Sequence, residues 1–166
     1  MRVVASDLYP DRAFAAEHGI ELLELDELLK RADYVSLHVF GGADNAALIN
    51  ADRLALMKPT ACLLNLARGE VVDLDALDAA LTEGRLAGAG IDAYTVEPPD
   101  VSHPIFRQPR VVFTPHTGAD TVESVERVGL MNVEDIETIL AGGRPTRVLN
   151  PEVFETEAFA ARRAAA

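Results

Sequence analysis

Short apolar runs alternate with amphipathic stretches along most of this chain, regularly enough to predict its elements. Arg2-Val3-Val4-Ala5-Ser6-Asp7 reads as a short buried strand ending in an acid. A helix follows from Pro10 through Ala13, Phe14 and Ala16, closed by Gly19. Residues 20–23 predict a second strand, and Asp26 a cap for a short helix carrying Leu28 and Leu29. Residues 34–39 predict a third strand, with a glycine-containing loop over 40–47. Asn50 is placed to cap a helix through Leu54 and Met57 that Pro59 ends. Ala61-Cys62-Leu63-Leu64 is apolar and too short for a helix, so it predicts a buried strand. Asp73 then caps a helix with Leu74, Leu77 and Leu81 on one face, stopping at Gly84. Residues 87–92 form another strand. Pro98, Pro99, Pro104 and Pro109 leave 94–109 irregular. Val111-Val112-Phe113 is the last strand. A long helix follows, on which Val122, Val125, Gly129, Val133, Ile136 and Leu140 recur at three- and four-residue steps, ended by Gly142-Gly143. From Pro145 the chain reads as a loose arm, and alanine-rich 160–166, with Arg162 and Arg163, as a frayed end.

Strands alternating with helices predict an α/β fold with a parallel, doubly wound sheet over 1–150 and a C-terminal arm over 151–166. A chain of 166 residues that is 49% hydrophobic has room for a sizeable core. The net charge of −12 speaks against nucleic acid and anionic membrane surfaces as partners. No stretch approaches the ~20 apolar residues of a membrane span, and the start lacks the pattern of a signal peptide. The single cysteine, Cys62, excludes an internal disulfide and fits a reducing compartment; inside an apolar strand it reads as a packing residue. A soluble, cytoplasmic protein without a metal site is the expectation.

Chemistry concentrates at strand ends. Asp7, Arg68, Glu97 and His116 lie at or just after them, and in a parallel sheet all those ends share one edge. Arg68, between a strand and a helix, offers a planar fork of donors that matches a carboxylate or phosphate. Taken alone it is equally consistent with a surface ion pair. A carboxylate beside an imidazole favours its charged form and fixes its tautomer, which makes such a pair a general acid/base unit. A strand-terminal acid near the start can accept hydrogen bonds from a ribose diol. Glu97 as loop polarity and His116 as a turn histidine are the plain alternatives.

Three longer stretches carry a resemblance. Asn65-Leu66-Ala67-Arg68-Gly69-Glu70-Val71-Val72-Asp73 resembles the arginine signature of the NAD-dependent D-isomer-specific 2-hydroxyacid dehydrogenases, the family of phosphoglycerate dehydrogenase. Asp92-Ala93-Tyr94-Thr95-Val96-Glu97-Pro98 resembles its glutamate signature, and Thr114-Pro115-His116-Thr117-Gly118 its histidine signature. Ser36-Leu37-His38, Leu56-Met57-Lys58-Pro59 and His103-Pro104-Ile105-Phe106 are similar to further family stretches in the same order. The resemblance implies a Rossmann-like fold and hydride transfer between a nicotinamide and a 2-hydroxy or 2-oxo acid. Arg68 would hold the substrate carboxylate and polarise its carbonyl. His116 would take and return the hydroxyl proton, and Glu97 would support it. Asp7 would bind the adenosine ribose of NAD, with His38, Ala67, Asp92 and Gly118 lining the cofactor. Relatives are commonly dimeric through this domain, which implies a homo-oligomer. His18 and His103 match no such role.

Two departures from the family stand out. Phe40-Gly41-Gly42-Ala43-Asp44-Asn45 replaces a Pro-x-Thr-Pro-x-Thr stretch, which predicts weaker cofactor contacts there. The family's opening strand and G-x-G-x-x-G turn have no counterpart before Asp7. The expectation is therefore an incomplete sheet, truncated at the N-terminus, that lacks its first strand and glycine-rich turn. Open apolar edges would remain at Val3-Val4 and at residues 35–37. Such a fragment is expected to be inactive alone, or to serve as an oligomerisation or interaction module.

Overall fold

The structure, a computed structural model, describes residues 1–164, with side chains through residue 160. It divides into two units, Met1–Gly118 and Ala119–Ala166.

In the first unit, strands β1 (Val4–Ala5) and β2 (Glu21–Leu22) pair in parallel as one sheet. A second, four-stranded parallel sheet runs β3 (Tyr34–Leu37), β4 (Cys62–Asn65), β5 (Gly88–Ile91) and β6 (Val111–Phe113) in spatial order. Helices α1 (Arg12–Glu17), α2 (Leu25–Arg31), α3 (Ala51–Leu56) and α4 (Leu74–Thr82) connect the strands. Side chains cap three of these helices. Asp11, Asn50 and Asp73 accept from the backbone N–H groups of Phe14, Arg53 and Ala76 at 2.9, 3.1 and 3.0 Å. The expected cap of α2 is corrected: Glu24 occupies that position without a side-chain bond. Asp26 lies inside the first turn and pairs with Arg53 at 3.1 Å.

Leu29, Ile49, Leu54, Leu63, Leu77, Leu81, Leu86 and Ile105 are fully buried between sheet and helices. Each such side chain contributes about 1.5–3 kcal/mol relative to an exposed one. Leu29, Leu54, Leu63, Leu77 and Leu81 are apolar positions of the sequence pattern, whereas Ile49, Leu86 and Ile105 reach the core from connecting segments.

Among the described residues no ladder joins β1 to β3, and the parallel architecture is split between them. One detail of the expected open edge is corrected. Val35 and Leu37 are only 3% and 5% exposed, while Tyr34 and Ser36 face outward. Alternation along a strand sends its apolar residues to one face, so β3 leaves a backbone edge unpaired rather than an apolar one.

An ion cluster fastens β2. Glu21 accepts from both terminal nitrogens of Arg31 at 2.8 Å and from Arg2 at 2.5 Å. Arg31, then Arg2, holds its carboxyl down at about 2, against an ordinary 4.5. A depressed carboxylate stabilises the fold fully above its unfolded pKa and loses that contribution as pH falls through the folded one. Urea midpoints of the wild-type chain are therefore expected to fall more steeply than those of Glu21→Gln between pH 4.5 and 2. Parallel curves would remove Glu21 from the acid response.

In the second unit, Thr121 caps the 19-residue helix α5 (Val122–Leu140). Val122, Val125, Val133, Ile136 and Leu140 form the predicted stripe, yet all are exposed. A helix and a short tail make no second layer to bury it. Arg147 binds Glu134 and the Met131 carbonyl of α5 at 2.9 and 3.0 Å. The expected loose arm is also corrected: a 3₁₀ turn (Pro151–Glu155) leads into α6 (Glu157–Ala164). Phe154 against Phe159, with ring centroids 5.0 Å apart, and the Arg144–Glu155 pair at 2.6 Å hold this segment in shape. Residues 165–166 of the expected frayed end lie outside the described residues.

Candidate active site

The carboxyl ends of β4, β5 and β6 each release a turn that carries one of the three signatures. After β4 the buried Asn65 side chain organises the first. Its amide nitrogen donates to the Arg68 carbonyl at 2.9 Å, and its oxygen accepts from Ala67 N–H at 3.2 Å. Ala67 is thereby buried and Arg68 turned outward, with its guanidinium donating to the Ala67 carbonyl at 2.7 Å.

Gly69 brings the second turn close. A Cβ at Gly69 would lie 2.0 Å from both the Thr95 nitrogen and the Tyr94 carbonyl carbon, so only glycine permits this approach. The Glu97 loop thus runs against the Arg68 turn. Tyr94 links it to the third turn: its backbone N–H donates to Glu97 at 3.1 Å and its hydroxyl to the Thr114 carbonyl at 2.9 Å. Tyr94 stacks on Phe106, whose ring in turn lies tilted against Phe113. Burial, then the nearby Asp92 and Glu97 charges, raises the Tyr94 phenol above its ordinary range.

The third turn presents His116, whose Nδ1 lies 2.8 Å from Glu97 Oε1. A carboxylate there accepts from a protonated Nδ1, which leaves Nε2 as the ring's acceptor. The Tyr94 backbone N–H and then the His116 ring hold the Glu97 carboxyl below its usual range, and Arg68 contributes through space. Arg68, Glu97 and His116 therefore share one electrostatic neighbourhood, although 29 and 19 residues of chain separate them in turn.

The other sequence-predicted positions fall as follows. Asp92, at the end of β5, is 4% exposed and binds Thr117 and Gly118 N–H, both at 2.9 Å. His38, just past β3, is exposed and lies 2.8 Å from the Ser36 hydroxyl. Asp7 follows β1 in the other sheet, where one oxygen accepts from Tyr9 N–H at 2.7 Å. Beside it opens a cavity of ≈ 400 Å³ lined by Pro10, Arg12, Leu22, Leu23, Glu24 and Glu27. Asn65, Gly69, Tyr94 and Thr114 were legible only as members of signatures. Their parts are contacts through space, and nothing in their spacing signals them.

Arg68, the Glu97–His116 pair and Asp92 thus stand together at the carboxyl edge of one parallel sheet. Residues 1–118 match the family described as the D-isomer specific 2-hydroxyacid dehydrogenase, NAD binding domain. The chain belongs to that family. It is 45% identical over 140 residues to D-3-phosphoglycerate dehydrogenase of Mycobacterium tuberculosis, covering 84% of this chain and 26% of the relative. It is 40% identical over 137 residues to glyoxylate reductase of Thermofilum pendens, covering 82% and 40%. Among solved structures, the NAD-complexed D-isomer specific 2-hydroxyacid dehydrogenase of Lactobacillus delbrueckii ssp. bulgaricus superposes with a TM-score of 0.80 at 33% identity, covering 90% of this chain and 48% of that one. D-lactate dehydrogenase of Aquifex aeolicus, complexed with NAD and lactic acid, gives 0.77 at 32% identity, covering 86% and 47%. The chain thus spans less than half the length of these relatives. Among the described residues no helix is long and apolar enough to cross a membrane.

Proposed function

We propose that this chain is the nicotinamide-binding and proton-transferring part of a D-2-hydroxyacid dehydrogenase, acting on a small 2-hydroxy or 2-oxo acid. The observation that carries the reading is the 2.8 Å His116–Glu97 pair in the field of Arg68.

NAD suits the residues at two ends. The cavity beside Asp7 offers apolar walls from Pro10, Leu22 and Leu23 to a purine, and a free carboxylate oxygen to a ribose diol. Asp7, Glu24 and Glu27 outnumber Arg12 there, which disfavours a 2′-phosphate and supports NAD over NADP. At the other end Ala67, Asp92 and Gly118 would border the nicotinamide. NAD, when bound, accepts or returns the hydride. Arg68 holds the acid's carboxylate by a fork of donors and orients its C2. His116 takes the hydroxyl proton on Nε2 during oxidation and returns it during reduction. Glu97 holds Nδ1 and stabilises the imidazolium that forms.

A second reading, an interaction module, is supported by the break between β1 and β3. Unpaired backbone edges recruit strands, and a second copy of this chain supplies one. Sedimentation decides it: a monomer at all concentrations removes this reading.

The dehydrogenase reading is tested by isothermal titration of NAD into the chain, and by NADH-linked turnover of 3-phosphoglycerate, glyoxylate and D-lactate. Turnover is measured after this chain is joined to the remaining length of a relative. Turnover of one of these acids is the expected result. No NAD binding in either form, and no turnover, overturns the proposal.

A further inference from the structure

We propose that Asp92 is a positioning residue for His116, shaping the turn that holds the imidazole against Glu97. Three donors of that turn converge on its carboxylate. The Thr114 hydroxyl and Thr117 N–H reach Oδ1, and Gly118 N–H reaches Oδ2, the two backbone bonds both at 2.9 Å. These donors lie two residues before His116 and one and two residues after it, so the carboxylate spans the whole turn.

Independent features of the backbone agree. His116 has φ of +57°, in the left-handed region that a non-glycine residue occupies only when its surroundings impose it. A Cβ on Gly118 would stand 3.0 Å from Asp92 Oδ2, so glycine allows the carboxylate its close approach. Upstream, Thr114 N–H still donates to the Ile91 carbonyl at 3.0 Å, extending the β5–β6 ladder. The chain leaves that ladder after Thr114 and is caught at once by the side chain that ends β5. The Thr114 hydroxyl first, then the Thr117 and Gly118 amides, keeps the Asp92 carboxyl below its ordinary range and so ionised at neutral pH. With this acceptor gone, both amides lose their partner, and only the Tyr94 bond to Thr114 and the Glu97 contact remain to hold His116 in its turn. The ring then loses its alignment on Glu97.

This inference rests on the reading of His116 as the proton carrier. Its test uses the full chain without cofactor or substrate, so a failure of the turn is distinguishable from a failure of the dehydrogenase reading. Nitrogen-15 spectra are recorded for wild type, Asp92→Asn, Thr114→Val and Thr114→Ser, with the methyl signals of Leu63, Leu77 and Leu81 as the control for folding. In Asp92→Asn one carboxylate oxygen becomes an NH2 donor, so of the Thr117 and Gly118 amides one loses its acceptor and the other keeps only a neutral one. The amide left without an acceptor is expected to exchange about tenfold faster or more. At alkaline pH the neutral His116 ring is expected to change from a single tautomer, protonated at Nδ1, to a mixture. Thr114→Val is expected to shift both readouts in the same direction, and Thr114→Ser to restore them. A folded Asp92→Asn with wild-type exchange and a single tautomer overturns the proposal. Should Asp92→Asn fail to fold, the Thr114 pair decides: valine and serine variants both indistinguishable from wild type overturn it as well.

Discussion

Replacing Gly69 with alanine is expected to destabilise the fold by about 3 kcal/mol or more, the upper part of the range for overpacking. The cost is steric. Gly69 begins a 3₁₀ turn whose backbone an alanine adopts readily, but its Cβ would lie 2.0 Å from main-chain atoms of Tyr94 and Thr95. Main chain cannot swing aside as a long side chain does, so the Glu97 loop must lift from the Arg68 turn. The same movement strains the Tyr94 hydroxyl bond to Thr114, and with it the alignment of His116. Gly129 provides the contrast. It lies within α5 with nothing within 4 Å of an added Cβ, so Gly129→Ala is expected to stabilise by about 0.5–1 kcal/mol through helix propensity. Urea unfolding followed by circular dichroism measures both. A Gly69→Ala midpoint equal to the wild type's would mean the two turns do not depend on this contact.

The second large effect is on chemistry. In this chain joined to the remaining length of a relative, Arg68→Ala is expected to lower kcat/KM by about 10³-fold or more, the scale of losing a preorganised charged donor at the reacting group. Arg68→Lys is expected to recover only a small part, because an ammonium cannot make the paired bonds of a guanidinium fork. The loss appears as a raised KM for the acid together with a lowered kcat, while the KM for NAD stays near its original value. Steady-state kinetics at saturating NAD separates these terms. Unchanged turnover after Arg68→Ala would take Arg68 out of the site. The exposed position of its guanidinium, bonded among the described residues to its own turn through the Ala67 carbonyl, supports a ligand role over a structural one.

Much of this was legible from the residues. Asn50 and Asp73 cap the helices they were expected to cap, since a short side-chain acceptor at a helix start acts within three residues. Leu63, Leu77 and Leu81 are buried where alternation and helical spacing put them. Arg68, Glu97 and His116 fall at the sheet edge because parallel strands deliver their carboxyl ends to one side. The long helix was also foreseen, but not the exposure of its apolar stripe. Amphipathic spacing says that a face seeks cover, and says nothing about what covers it.

By itself, then, the sequence determined the order of strands and helices through α5, the parallel α/β class and much of the core, and its resemblance to a known family marked the three signature turns. The elements follow from local chemistry: side-chain periodicity, capping within a few residues, and breakers at element ends. Only the tertiary structure decided how the turns meet. The Gly69 approach to Tyr94 and Thr95, the Tyr94 bridge to Thr114, and the Asp92 clamp around His116 join residues 20 to 26 positions apart. Contacts of that kind depend on where whole strands lie in space, and strand order is set by the packing of the entire sheet rather than by any one segment.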